Sequence, residues 1–143
     1  MIDSFRGDYF FLSNYFTAPV EENGVTYPTN EHYFHAHKSS IVSQNILIAR
    51  AATPGEAKRL GRKCKMRSDW NTYRLEVMRN GIHLKFTQHP ELAEKLLATG
   101  DEELIEGNTW NDKFWGVCDG VGENNLGKIL MEEREKLKND NSK

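Results

Sequence analysis

Apolar residues recur at helical spacing over most of the chain. Between Trp70 and Phe86 they fall at every third or fourth position, which predicts a helix over about 69–88. Thr53, Pro54 and Glu56 combine an N-cap, a proline at the first helical position and a capping-box acid, and predict a helix to about Lys63. Other helices are expected over about 29–39, 44–51 and 90–100, and on the apolar stripe Leu126, Ile129, Leu130 and Leu137.

The first quarter of the chain has a different pattern. Residues 4–27 are aromatic and short-patterned, and Asn23-Gly24 is a turn signal, so short strands and a hairpin are expected there. Residues 102–106 are a further candidate strand. The fold class predicted is therefore α+β, predominantly helical, as a compact single domain over 1–143. Its polar tail over 136–143 is expected to be solvated and frayed.

Composition excludes several classes of protein. The 143 residues carry 19 Lys and Arg against 21 Asp and Glu, so no overall basic field exists to hold nucleic acid, although a local patch is not excluded. Cys64 and Cys118 have no paired spacing, so neither a disulfide framework nor a zinc site is expected, although one disulfide is arithmetically allowed. The chain shows neither a signal-peptide pattern nor an apolar run near the ~20 residues of a membrane span. It is expected to be cytoplasmic, with no membrane association and no cofactor.

Three histidines in the segment 28–38 raise the question of a metal. On a regular helix His32 and His35 lie about 60° apart, but His37 lies about 140° from His32, so the three do not converge on one ion. No metal site is expected.

Glu31, His35 and Lys38 are spaced i, i+4 and i+7. On one helix this spacing confines an acid, an imidazole and an amine to one stripe about 60° wide, where they would surround a small substrate. The alternative is a solvated helix face, on which Glu and Lys merely suit the helix dipole. Apolar neighbours on the stripe, Phe34 and Ile41, favour a face that points inward or into a cleft.

Residues 109–116 form a second candidate. Trp110 and Trp115 flank Asp112, and Gly116 permits close backbone approach, so this loop would stack a ring and offer a carboxylate to a hydroxyl. The alternative is a buried aromatic anchor with Asp112 capping a turn.

Other polar segments are less specific. Ser13 and Asn14 end the aromatic opening and are candidate substrate-binding residues. Residues 120–127 put a glycine-rich loop before a helix start, where free amides would hold an anion. Six cations, which suit phosphate recognition or a helix C-terminus, are Lys58, Arg59, Arg62, Lys63, Lys65 and Arg67.

The order and spacing of these segments over about residues 5–137 resemble the NADAR superfamily, which includes the YbiA-like proteins. The matching pieces are 11–15, 28–38, 60–62, Trp70 with 77–79, 85–86, 96–100 with 104–106, 111–112 with 115–116, and 125–127 with 130–131. The resemblance implies an enzyme that hydrolyses N-glycosidic bonds. Its substrate would be ADP-ribose on guanine bases of DNA or RNA, or a ribosylamino-pyrimidine intermediate of riboflavin synthesis.

The resemblance also implies a set of functional residues. They are Asn14, Glu31, Lys38, Arg62, Trp70, Lys85, Asp112, Trp115, Gly116 and Asn125. Two positions depart from the family pattern: His35 stands where glutamine is usual, and Cys118 stands where glycine or a similarly small residue is expected.

These residues support a mechanistic hypothesis. Glu31 handles a proton or stabilises the sugar cation, Asp112 orients ribose hydroxyls, and Lys38 attacks the anomeric carbon to give an imine, with Lys85 as the alternative nucleophile. An amine beside carboxylates tends to stay protonated, so burial must lower the pKa of Lys38. Two other functions stay open: a non-catalytic module that binds ADP-ribose or NAD, and an antitoxin-like interaction protein.

Overall fold

Helices dominate the computed structural model, which describes residues 1–141. In chain order the elements are a 3-10 helix Gly7–Leu12, strands β1 (Thr17–Glu22) and β2 (Val25–Thr29), and helices α1 (Asn30–Ala36), α2 (Val42–Ala49), α3 (Pro54–Lys63), α4 (Trp70–Gln88), α5 (Pro90–Ala98) and α6 (Asn125–Asn141). The two strands form one antiparallel sheet. The predicted class, α+β and predominantly helical, is confirmed. Within the described residues no helix has the length and apolarity needed to cross a membrane.

The chain forms two compact units. The central unit is Asn14–Gln88, and the terminal unit joins Met1–Ser13 to His89–Lys143. The expectation of a single domain over 1–143 remains a prediction.

The hairpin of the central unit follows the sequence signal. Val20 pairs with Tyr27 and Glu22 with Val25, and the turn residues Asn23 and Gly24 have φ values of 53° and 81°. Left-handed geometry at both turn residues matches the right-handed twist of the strands, which is why an Asn-Gly pair favours this turn. The predicted hairpin is confirmed, and its strands cover residues 17–29.

Helix α1 is the core of the central unit. All seven of its residues are buried. It begins at Thr29, whose hydroxyl accepts a hydrogen bond from the His32 amide at 3.2 Å. Two glycines let other helices approach it: a Cβ at Gly61 in α3 would lie 2.8 Å from His35 Nδ1, and one at Gly81 in α4 would collide with Asn30. Small residues at these positions therefore set how closely α3 and α4 pack on α1.

The start of α3 and the whole of α4 agree with the prediction. The Thr53 hydroxyl accepts from the Glu56 amide at 3.1 Å, as expected for a capping residue. Helix α4 buries one stripe at helical spacing, which consists of Trp70, Val77, Met78, Gly81, Ile82, Lys85 and Phe86.

Two segments of the terminal unit depart from the prediction. Residues 7–12 form a 3-10 helix and not a strand, and Phe11 and Leu12 are consecutive and both buried, which an alternating strand does not achieve. The candidate strand over 102–106 is reduced to an isolated bridge between Ile2 and Leu104.

Helix α5 ends as expected, with Gly100 at a φ of 64° just beyond it. The tail that was expected to fray from residue 136 is helical to Asn141, while Ser142 and Lys143 lie outside the described residues.

Candidate active site

Glu31 lies in the first turn of α1 and is 8% exposed. Its amide donates to the Asn14 carbonyl at 3.1 Å, and the Asn30 side chain donates to Asn14 Oδ1 at 2.8 Å. These two hydrogen bonds fasten the segment that carries Tyr15 across the beginning of α1.

Two aromatic side chains contact the Glu31 carboxylate. The Tyr15 hydroxyl donates a hydrogen bond to it, and His35 Nε2 lies 3.4 Å from Oε2. Burial raises the pKa of Tyr15 to about 12, and the charge and hydrogen bond of Glu31 add to that rise, whereas the Arg62 guanidinium opposes it. The phenol therefore keeps its proton near neutral pH and remains a donor to Glu31.

His35 is packed between Glu31 and Gly61. Burial lowers its pKa, although the neighbouring Glu31 favours the charged form, so the imidazole is neutral near pH 7. Its Nδ1 faces Gly61 and has no hydrogen-bond partner within residues 1–141. His35, expected as a substrate contact, is 5% exposed and lies against Glu31.

Lys38 follows α1 and is not part of it, which corrects the expected helix to Ser39. The helix ends at Ala36 because the chain turns to pair with the segment after α3. The Arg67 amide donates to the Lys38 carbonyl at 2.8 Å, and Ser39 forms a bridge with Met66. The spacing i, i+4, i+7 was therefore the wrong reason to group Lys38 with Glu31.

The Lys38 side chain nevertheless interacts with Glu31. Burial lowers the pKa of the Lys38 amine, and the positive charges of Arg62 and Lys58 lower it further, while Glu31 and the Cys64 thiolate oppose the shift. Burial also raises the pKa of Cys64, so near neutral pH that residue is a thiol and its opposing charge is absent. The condition placed on a nucleophilic Lys38, a lowered pKa, is met.

Aromatic packing supports Lys38 from one side. Its Nζ lies 5.9 Å from the centroid of the Phe34 ring. Trp70, 5% exposed, packs edge-on against Phe34 with ring centroids 5.1 Å apart. Buried Trp70 therefore packs against the same Phe34 ring that the Lys38 amine faces.

Lys85 is buried in the last turn of α4 with 1% exposure. Its Nζ lies 5.6 Å from the Phe16 ring centroid and 5.4 Å from that of Phe86. Burial lowers the pKa of Lys85 to about 7. The amine is thus partly neutral at physiological pH, but its aromatic neighbours differ from those of Lys38.

The other two histidines of this segment have partners of their own. His32 contacts the Thr29 hydroxyl at 2.8 Å and the Ala51 carbonyl at 3.0 Å. His37 contacts the Tyr33 carbonyl at 2.7 Å and Glu22 at 3.0 Å. Among the described residues no group of three or more His, Cys, Asp or Glu is placed to hold a metal ion.

Asp112, in the terminal unit, closes a turn. Its Oδ1 accepts from the amides of Phe114 and Trp115 at 3.1 and 2.9 Å, and its own amide donates to Asn108 Oδ1 at 3.0 Å. This is the turn-capping alternative for Asp112. The second carboxylate oxygen, Oδ2, takes no part in these hydrogen bonds.

Gly116 and Trp115 follow this turn in the chain, whereas Ser13 ends the 3-10 helix. Gly116 packs against Glu106, with which a Cβ would collide, so the close approach that Gly116 permits is to the protein itself. Trp115 packs edge-on against Phe114 at 4.8 Å, whereas Trp110 is 55% exposed. Ser13 is half-buried, and its amide closes the 3-10 helix on Phe10.

The start of α6 does not offer the free amides expected of an anion site. The Asn125 amide donates to the Phe114 carbonyl at 3.2 Å and the Leu126 amide to Trp115 at 2.9 Å. The Asn125 side chain also donates to Phe114, at 2.9 Å. Backbone carbonyls therefore occupy these two donors, and anion binding by residues 120–127 stays a prediction that they do not support.

Four predicted residues of the central unit belong to one polar cluster. Glu31, His35 and Lys38 interact with one another, and the exposed Arg62 interacts with Lys38. The sequence did not single out Tyr15 or Cys64. Tyr15 ends the matching piece 11–15 but was not among the candidate residues, and no local pattern connects Cys64 to Lys38.

The fold is that of a solved bacterial protein. The chain superimposes on the NMR structure of YbiA from Escherichia coli with a TM-score of 0.88 and 37% identity, covering 100% of this chain and 90% of that one. The fold and the polar cluster together define a class of small α+β proteins with this architecture. The NADAR domain model matches residues 4–138, and the chain belongs to the NADAR domain family.

Several relatives have curated names. The N-glycosidase YbiA of Escherichia coli strain K12 is 41% identical over 133 residues, which are 91% of this chain and 82% of that protein. An N-glycosidase of Nostoc punctiforme is 39% identical over 90% of this chain and 85% of its own length. A riboflavin biosynthesis protein of Vibrio vulnificus is 42% identical over 89% of this chain, although the match covers 35% of that longer protein.

Proposed function

We propose that this protein is an enzyme that hydrolyses the N-glycosidic bond of a ribosyl compound, using Glu31 and Lys38 of the central unit. One observation carries the proposal: a buried carboxylate held by two side chains interacts with an amine whose pKa is lowered. The activity class agrees with the N-glycosidase names of two relatives that are 39–41% identical over most of the chain.

Cleavage of an N-glycoside needs assistance at both ends of the bond. The leaving nitrogen must gain a proton while positive charge develops at the anomeric carbon. General acid assistance supplies about 10²–10⁴ in rate, so a second contribution is required at the carbon. We infer that Lys38 supplies it in its deprotonated form, which the lowered pKa of the amine favours.

The proposed reaction balances its protons through Glu31. The Lys38 lone pair attacks the anomeric carbon, the bond from that carbon to the leaving nitrogen breaks, and the Lys38 proton passes through the Glu31 carboxylate to that nitrogen. The sugar ring then opens, its ring oxygen takes the second amine proton, and an imine forms between Lys38 and the sugar. Water adds to the imine, the amine leaves, and the free sugar is released.

We infer two candidate substrates. A ribosylamino-pyrimidine phosphate is the first, since a relative from Vibrio vulnificus and one from Zea mays are named riboflavin biosynthesis proteins. ADP-ribose attached to guanine in DNA or RNA is the second. Both carry phosphate, and Arg62, which is exposed and interacts with Lys38, is a cation suited to it.

Trapping of the imine is the direct test. Purified protein is incubated with each substrate in turn, with and without borohydride, and free sugar and protein mass are measured. We expect sugar release from one substrate, and a reduced sugar adduct on the peptide that contains Lys38. Lys38→Ala should lose the adduct and most of the rate, whereas the exposed Lys63→Ala should keep both.

The contrary results are specific. An adduct on Lys85 would move the nucleophile to α4, and unchanged sugar release by Lys38→Ala would remove Lys38 from the chemistry. Glu31→Gln should lower kcat, because the proton relay is lost. Tight binding of ADP-ribose without cleavage of either substrate would identify a binding module instead.

A further inference from the structure

Tyr15 contacts Glu31 but has no role in the proposed mechanism. Its phenol contacts the buried Glu31 carboxylate, while its ring is 39% exposed. Arg62 interacts with the same phenol from its exposed position on α3. Tyr15 therefore extends from the surface to the carboxylate.

Asn14 precedes Tyr15 in the chain, and both its backbone and its side chain are held by hydrogen bonds. The Asn14 carbonyl accepts from the Glu31 amide at 3.1 Å, and the Asn14 side chain bonds to Asn30 at 2.8 Å. Asn14 Nδ2 also points to the sulfur of Met78 at 3.6 Å. Because Asn14 is bound to the same turn that carries Glu31, the adjacent phenol has little freedom relative to the carboxylate.

The Glu31 carboxylate has a second fixed neighbour. His35 Nε2 lies 3.4 Å from Oε2, and the ring of His35 is wedged against Gly61. A carboxylate held by an imidazole and a phenol cannot rotate about its last bond without losing one of them. Such fixation is what a group that transfers a proton over a short distance requires.

We propose that Tyr15 is a positioning residue, which aims the Glu31 carboxylate at the leaving nitrogen by donating a hydrogen bond to it. The assignment rests on the proposed N-glycosidase function. The raised pKa of Tyr15, about 12, agrees with it because the phenol stays a donor throughout the working pH range. Tyr15 acts through Glu31 and need not touch the substrate.

The test has a kinetic part. Tyr15→Phe removes only the hydroxyl, and Tyr9→Phe is a matched control because Tyr9 is 41% exposed, close to the 39% of Tyr15. With a ribosylamino-pyrimidine phosphate and, separately, an ADP-ribosylated guanine oligonucleotide, we expect Tyr15→Phe to lower kcat by about tenfold or more. KM should change by less than about twofold, since substrate binding is not the interaction that is lost. Tyr9→Phe should match the wild type.

The second part does not depend on activity. Urea unfolding is measured for Tyr15→Phe, Glu31→Gln and the double variant. If the phenol and the carboxylate interact, the two substitutions are not additive, and the second has less effect after the first. A structural role alone gives this non-additivity without the fall in kcat.

The outcomes separate the inference from the function on which it rests. Non-additive unfolding with unchanged kcat in Tyr15→Phe overturns the positioning role, and so does a raised KM with unchanged kcat, which would mark a substrate contact. Additive unfolding overturns the hydrogen bond itself. A wild-type protein that cleaves neither substrate refutes the proposed function and the role of Tyr15 with it, while non-additive unfolding would show that the hydrogen bond exists.

Discussion

Gly61→Ala tests the packing that holds the candidate site. The added Cβ would lie 2.8 Å from His35 Nδ1, 3.0 Å from Cβ and 3.1 Å from Cγ of the same residue. The His35 Cβ is attached to the backbone of α1, so a rotamer change cannot relieve the collision and the two helices must move apart.

The size of the effect follows from two opposing contributions. Overpacking of a core contact costs about 1–3 kcal/mol, whereas replacing glycine by alanine inside a helix stabilises by up to about 1 kcal/mol. Gly55→Ala, in the same helix as Gly61, is the matched control. A Cβ added at Gly55 would meet only the Thr53 hydroxyl, at 4.0 Å. The helix contribution largely cancels between the two variants, so Gly61→Ala should be less stable than Gly55→Ala by about 1–3 kcal/mol.

Thermal and urea unfolding followed by circular dichroism measure this difference. At about 3 °C per kcal/mol for a chain of this size, the melting temperatures should differ by about 3–9 °C. Gly61→Ala should also lower the rate of N-glycoside cleavage, because a displaced α3 moves Arg62 relative to Lys38 and Tyr15. Equal stability of Gly61→Ala and Gly55→Ala would refute the described contact between α1 and α3.

Substitutions at two further residues, Lys85 and Asp112, separate structural roles from chemical ones. Burial lowers the pKa of Lys85 to about 7, so between there and its ordinary 10.5 the unfolded chain binds the extra proton. Stability should then rise with pH by up to about 1.4 kcal/mol per unit. Lys85→Met should reduce this slope in urea titrations at several pH values, whereas exposed Lys63→Met should keep it. Lys38, whose pKa is also lowered, still contributes in both variants, so only a slope equal to that of the wild type in Lys85→Met contradicts the assigned burial. Asp112→Ala leaves the amides of Phe114 and Trp115 without their acceptor and should destabilise by about 1–3 kcal/mol, measured by unfolding. Asp112→Asn keeps that acceptor, so normal stability with reduced turnover would indicate that the carboxylate charge serves the reaction, whereas normal turnover would leave Asp112 a turn cap.

Elements that depend on local signals were predictable from the sequence. The period of α4 and the cap of α3 are properties of neighbouring residues, and both appear as expected. Residues 7–12 were misassigned because a short aromatic run has no period that separates a strand from a 3-10 helix. The aromatic composition favoured a strand. The burial of the consecutive residues Phe11 and Leu12 excludes an alternating strand.

The candidate site was only partly predictable, because long-range contacts build it. The end of α1 is set by the hydrogen bond between Lys38 and Arg67, which are distant in sequence. The contact between Tyr15 and Glu31 likewise joins the segment that precedes β1 to α1. For Asp112 the residue pattern allowed two interpretations, and the geometry of its Oδ1 shows the turn cap.

The protonation states of Glu31 and Lys38 are linked by the packing around them. A free carboxylate beside an amine would hold the amine in its charged form, which opposes nucleophilic attack. Here Tyr15 and His35 also bond to that carboxylate, and burial together with the cations Arg62 and Lys58 disfavours a further positive charge on Lys38. A substrate phosphate bound at Arg62 would offset one of those cations and raise the pKa of Lys38, so a smaller fraction of the amine is neutral in that complex. The rise in rate that follows deprotonation of Lys38, on the acidic side of the pH profile, should therefore lie at higher pH for substrates that place a phosphate next to Arg62.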